Sequence, residues 1–126
     1  GVAQRVEFVG PVYGEDKWHL YRTAKCFVLP SLSENFGNAV LEAMAASCPV
    51  VVTPEVGLAQ VVRKTASGVV AEGDPRSLAD AIAPILANDA MRNSMGRAGS
   101  EAARNSFGWD AIARQMADLY ADIRRG

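Results

Sequence analysis

Apolar residues fall along this chain in two rhythms. Unbroken apolar runs occur at Cys26-Phe27-Val28-Leu29, closed by Pro30, and across residues 49–53, which hold three consecutive valines. Runs without polar alternation predict strands covered on both faces, as in a parallel sheet. Val6-Glu7-Phe8-Val9 alternates and is closed by Gly10-Pro11, which predicts a short strand and a turn. Residues 69–71, entered from Gly68, predict a last strand. Helical patterns lie between the runs. Residues 15–24 carry Trp18, Leu20 and Tyr21 in a helix-like arrangement, residues 38–47 are rich in Ala, Leu, Glu and Met, and residues 58–63 predict a short helical turn.

Beyond residue 73 the pattern is helical throughout. Asp74-Pro75 reads as a helix start with Pro in the first turn, followed by an apolar stripe of Leu78, Ile82, Ile85 and Leu86. Two further helices are predicted over residues 89–105 and 110–124. In the last, Ile112, Met116, Leu119, Tyr120 and Ile123 recur at helical spacing. Strands alternating with helices predict an α/β fold, a Rossmann-like parallel sheet with flanking helices and a helical C-terminus. No repeat, low-complexity tract or linker divides residues 1–126, so one domain is expected.

Composition narrows the function classes. The 126 residues are 49% hydrophobic and 21% charged, enough to bury a core without disulfides. Thirteen Lys plus Arg stand against 14 Asp plus Glu, a net charge of −1, which leaves no basic excess for a nucleic-acid partner. The apolar runs are too short to cross a bilayer, and the first residues lack the pattern of a signal peptide. Cys26 and Cys48 have neither a CxxC partner nor a nearby His, so free thiols in a reduced, cytoplasmic protein are expected.

In an open parallel sheet, ligands bind beyond the carboxyl ends of the strands. The informative segment is therefore Pro30-Ser31-Leu32-Ser33-Glu34-Asn35-Phe36-Gly37, a polar loop ending in Gly before a helix. The helix start offers free N–H groups and a positive dipole end to phosphate or sugar oxygens. Glu42 lies in the helix among Leu41, Ala43, Met44 and Ala45. It is either a solvated edge residue or, with Glu34, an acceptor for sugar hydroxyls facing one cleft.

Glu34-Asn35-Phe36-Gly37 with Leu41-Glu42-Ala43-Met44-Ala45 resembles the E-x7-E signature of group 1 retaining glycosyltransferases with the GT-B fold. Leu29-Pro30-Ser31, Pro49-Val50-Val51, Ser67-Gly68-Val69-Val70 and Phe107-Gly108-Trp109 fit the same family in order and spacing. The resemblance implies the later part of a C-terminal donor-binding domain. It assigns Glu34 to the donor sugar near the reacting carbon, Asn35 and the N–H groups of Phe36 and Gly37 to sugar binding, and those of Asn38 and Ala39 to the diphosphate. Glu42 would hold the ribose, and Pro11 and Val12 would lie near the base. No metal or other cofactor is expected. Two earlier strands, their diphosphate-clamping Arg and Lys, and the N-terminal acceptor domain are expected to be missing, so the chain alone should not turn over.

Departures from the pattern are Ser47, where the family usually has Gly, and Gly57-Leu58-Ala59-Gln60, where it tends to read Gly-Gly and then Glu. Leu58 is expected to narrow the phosphate approach. His19 reads as a surface or packing residue. Arg92, Arg97, Arg104, Arg124 and Arg125 read as solvated helix faces, which offer the parent protein a peripheral contact with anionic membrane. The leading expectation is a hexosyltransferase donor domain that binds a nucleotide-diphosphate sugar. The alternatives are a nucleotide-sugar epimerase or hydrolase of the same fold, or a non-catalytic half of a split transferase. Omission of the first strands is expected to expose an apolar sheet edge at residues 26–29, inviting a homodimer or a shift of residues 6–9 onto that edge.

Overall fold

A computed structural model describes residues 1–125. Three strands, β1 (Phe27–Leu29), β2 (Val50–Val52) and β3 (Gly68–Val70), form one parallel sheet in sequential order. Val28 lies opposite Val51, and Val51 opposite Val69. The central strand is completely buried, as its three β-branched residues require.

Helix α1 (Gly14–Thr23) precedes β1, α2 (Asn38–Ala45) joins β1 to β2, and α3 (Ala59–Thr65) joins β2 to β3. Helices α4 (Pro75–Ala87), α5 (Asp89–Phe107) and α6 (Trp109–Arg125) complete the described chain. Helix α5 lies across α2 and α3, while α4 packs on β2 and α5. Val40, Met44, Val50, Val52, Leu58 and Val62 form the centre of the core. Asp74 caps α4 by accepting from the amides of Arg76 and Ser77, both at 3.0 Å, and Pro75 occupies the first turn as expected.

Two expectations are corrected. Residues 6–9 are not a strand: they are exposed, Phe8 at 95%, and pair neither with β1 nor with another described segment. A single extended segment has no ladder to join, whatever its alternation. Arg92 is not a solvated surface residue. Its side chain is only 15% exposed and donates to the carbonyls of Ile85 and Leu86, at 2.7 and 2.8 Å, besides pairing with Asp89. It thereby satisfies carbonyls that the end of α4 leaves open.

The thiols are free. Burial pushes Cys48 up to about 11, with Cys26 adding to the shift, and burial also raises Cys26. Thiols held in the protonated form are poor nucleophiles.

Candidate functional site

The carboxyl ends of β1 and β2 run into two loops laced to each other. Glu34 donates its N–H to the Glu55 carbonyl at 3.3 Å and accepts from Gly57 at 2.8 Å, while Leu58 donates to the Phe36 carbonyl at 3.1 Å. Glu34 and Val56 form an isolated parallel bridge. The buried Thr53 hydroxyl donates to the Ser31 carbonyl. Both backbone groups of Glu34 are therefore fixed. Only glycine fits at position 57, because a Cβ there would stand 1.9 Å from the Asn35 carbonyl oxygen.

Leu58 is corrected by this packing. Its side chain is buried in the core, so it does not stand in the phosphate approach. The N–H groups of Gly57 and Leu58 turn toward the facing loop, and the Leu58 side chain turns inward.

Gly37 is the residue before α2 and holds a left-handed φ of 97°, which glycine adopts without strain. No side chain caps this helix. Val40 and Leu41 donate to the Gly37 carbonyl, at 2.9 and 3.1 Å. The N–H groups of Asn38 and Ala39 belong to the first turn, where the helix has no internal acceptor for them. The Phe36 N–H points at Glu34 Oε1 across a long 3.4 Å. Its ring meets Phe107 edge to face, with centroids 5.8 Å apart. Asn35 and Asn38 are exposed and Ala39 is half-buried.

Glu42 is half-buried and engaged from α1. Lys17 Nζ donates to Oε1 at 2.9 Å, and the Tyr21 hydroxyl donates to Oε2 at 3.2 Å. Burial, then the neighbouring Glu42 charge, pushes Tyr21 up to about 12. Glu42 also lines a groove of about 540 Å³ with Trp18, Leu41, Arg104, Phe107 and Trp109. Glu34 stands in the loop before α2 and is not among the groove's lining residues, so of the two carboxylates only Glu42 lines this groove. Pro11 and Val12 lie before α1, Val12 half-buried, and neither lines the groove.

The sequence pattern gave no site role to Lys17, Tyr21 or Thr53, and Gly57 drew notice only as part of the departure at residues 57–60. The first two stand four residues apart, a spacing that puts them on one helix face, and this was the available signal. Among the described residues no group of three or more His, Cys, Asp or Glu is arranged to hold a metal ion, and no helix is long and apolar enough to cross a membrane.

The family model described as "Glycosyl transferases group 1" matches residues 1–102. D-inositol 3-phosphate glycosyltransferase of Salinispora tropica is 37% identical over 123 residues, 97% of this chain and 25% of that protein. The protein of the same name from Xylanimonas cellulosilytica is 39% identical over 126 residues, 99% of this chain and 30% of that protein. The structure of sucrose-phosphate synthase from Thermosynechococcus elongatus superposes with a TM-score of 0.85 at 36% identity, covering 98% of this chain and 31% of that one. The chain thus spans between a quarter and a third of the length of these relatives.

Proposed function

This chain belongs to the group 1 glycosyl transferases, and from that premise we propose that it is the donor-binding part of a hexosyltransferase working with retention of anomeric configuration. The observation that carries the reading is the uncapped start of α2 behind the left-handed Gly37, at the carboxyl edge of a parallel sheet. Glu34 stands in the loop before that helix start, and Glu42 stands further along the helix.

An uncapped helix start binds anions through free N–H groups and the positive dipole end. The amides of Asn38 and Ala39 take the diphosphate of a nucleotide-diphosphate sugar. As the bond from the anomeric carbon to the phosphate oxygen breaks, they stabilise the charge left on the leaving group. The Glu34 carboxylate contacts the sugar near the reacting carbon, while Asn35, Phe36 and Gly37 contact its hydroxyls. Glu42 accepts from the ribose, and Pro11 and Val12 border the base. The rigid backbone of Glu34 supports this role, because a carboxylate near a reacting carbon acts only if it is accurately placed.

The acceptor, and the groups needed beside this chain, belong to the longer protein. Its test is a transfer assay with a panel of nucleotide-diphosphate hexoses, reading the product's anomeric configuration by proton NMR. The reading predicts retention, with Glu34→Gln lowering turnover by about 10- to 100-fold at little change in donor affinity. An inverted product contradicts it, and so does an epimerised or simply hydrolysed donor with every acceptor tried.

A further inference from the structure

Glu42 is held from outside its own helix. Lys17 and Tyr21 share one face of α1 and reach one carboxylate oxygen each, at 2.9 and 3.2 Å. The Tyr21 ring sits edge-on to both Trp18 and Phe27, with centroids 6.0 and 5.6 Å away, so aromatic packing fixes its hydroxyl. That hydroxyl, raised to about 12 by burial and by the Glu42 charge, remains protonated and donating at neutral pH.

An ionised carboxylate offers about four acceptor sites, two on each oxygen. The two donors from α1 take one site on each oxygen and leave one on each. Two adjacent free sites suit a ligand with two neighbouring hydroxyls, and the cis-diol of a ribose is such a group. We infer that Lys17 and Tyr21 are positioning residues for the ribose site, locking the Glu42 carboxylate in the orientation that accepts both hydroxyls of the diol. The inference rests on the assignment of Glu42 to ribose. Its physical basis is preorganisation: an unanchored Glu pays side-chain entropy when the ligand fixes it, whereas an anchored one has already paid on folding.

The test uses the full-length protein and calorimetric titration. UDP, GDP and ADP are compared first, and the tightest of them is then set against its 2′,3′-dideoxy analogue. Glu42→Gln is expected to weaken the ribonucleotide strongly and the dideoxy analogue little. Tyr21→Phe and Lys17→Met should each weaken the ribonucleotide by roughly fivefold, leave the dideoxy analogue within about twofold, and add little in the Glu42→Gln background.

Lys17→Met, at a half-exposed position, supplies a variant that keeps the aromatic packing. Thermal melts of each variant separate a loss of fold from a loss of positioning. If Glu42→Gln discriminates the two ligands but the α1 variants weaken both equally or neither, the positioning role is overturned and the ribose assignment stands. Tighter ribonucleotide binding by Lys17→Met also overturns it, since Lys17 would then be a competitor for the carboxylate. If Glu42→Gln itself fails to discriminate, the ribose assignment falls and the inference with it.

Discussion

Ser47 shows how a single residue records a conflict between sequence and backbone. Helix α2 ends with Ser47 donating to the Met44 carbonyl and Cys48 donating to the Ala43 carbonyl, both at 2.9 Å. This is the paired bonding of a Schellman end, which asks for a left-handed residue. Ser47 supplies it at φ 61°, where a Cβ is strained. The helical pattern of residues 38–47 gives no warning of it, reading as one continuous helix; the signal in the sequence was the departure at Ser47, where the resembled family usually has Gly. Ser47→Gly is expected to stabilise the chain by about 1 kcal/mol, because glycine relieves the strain. Thermal unfolding should show this as a rise of roughly 3–5 °C. A lower melting temperature would show that the serine is not strained there.

The elements were legible wherever a local signal sufficed. Strands β1 and β2 are unbroken apolar runs, and α4 announces itself by Asp74-Pro75. The loop between β1 and α2 was also correctly located by its polarity and its Gly37. What escaped depends on partners distant in sequence. Residues 6–9 have strand alternation but no neighbouring strand, Arg92 is drawn to the end of α4, and Leu58 is drawn into the core. The same holds for the anchors of Glu42, since nothing local to α2 reveals that α1 approaches it. Helix α5 illustrates the cost of such tertiary contacts. It comes so close to the end of α2 that a Cβ on Gly96 would lie 2.3 Å from the Ser47 carbonyl oxygen. Gly96→Ala is therefore expected to destabilise by about 1–3 kcal/mol despite alanine's better helix propensity. Urea unfolding checks this, and an unchanged or raised midpoint would mean that α5 stands off from α2.

At the scale of the whole molecule, two apolar surfaces lie open among the described residues. One is the stripe of Met116, Leu119, Tyr120 and Ile123 on α6; the other is the segment around Phe8, and the β1 edge of the sheet carries no further strand. Surfaces of this kind drive association. The 126-residue chain alone is expected to self-associate as its concentration rises, which light scattering reads directly; a strict monomer up to about 100 μM would contradict that. The central claim concerns the two carboxylates, Glu34 in the loop before α2 and Glu42 within that helix, which are assigned different tasks. It is tested most directly by isothermal titration of a nucleoside diphosphate into the full-length protein and its Glu42→Ala and Glu34→Gln variants. A charge-assisted hydrogen bond is worth roughly 1.5–3 kcal/mol, so Glu42→Ala should weaken binding by about 10- to 150-fold. Glu34→Gln, facing the absent sugar, should leave the affinity nearly unchanged. Unaltered affinity in Glu42→Ala, or an equal loss in both variants, would contradict the account.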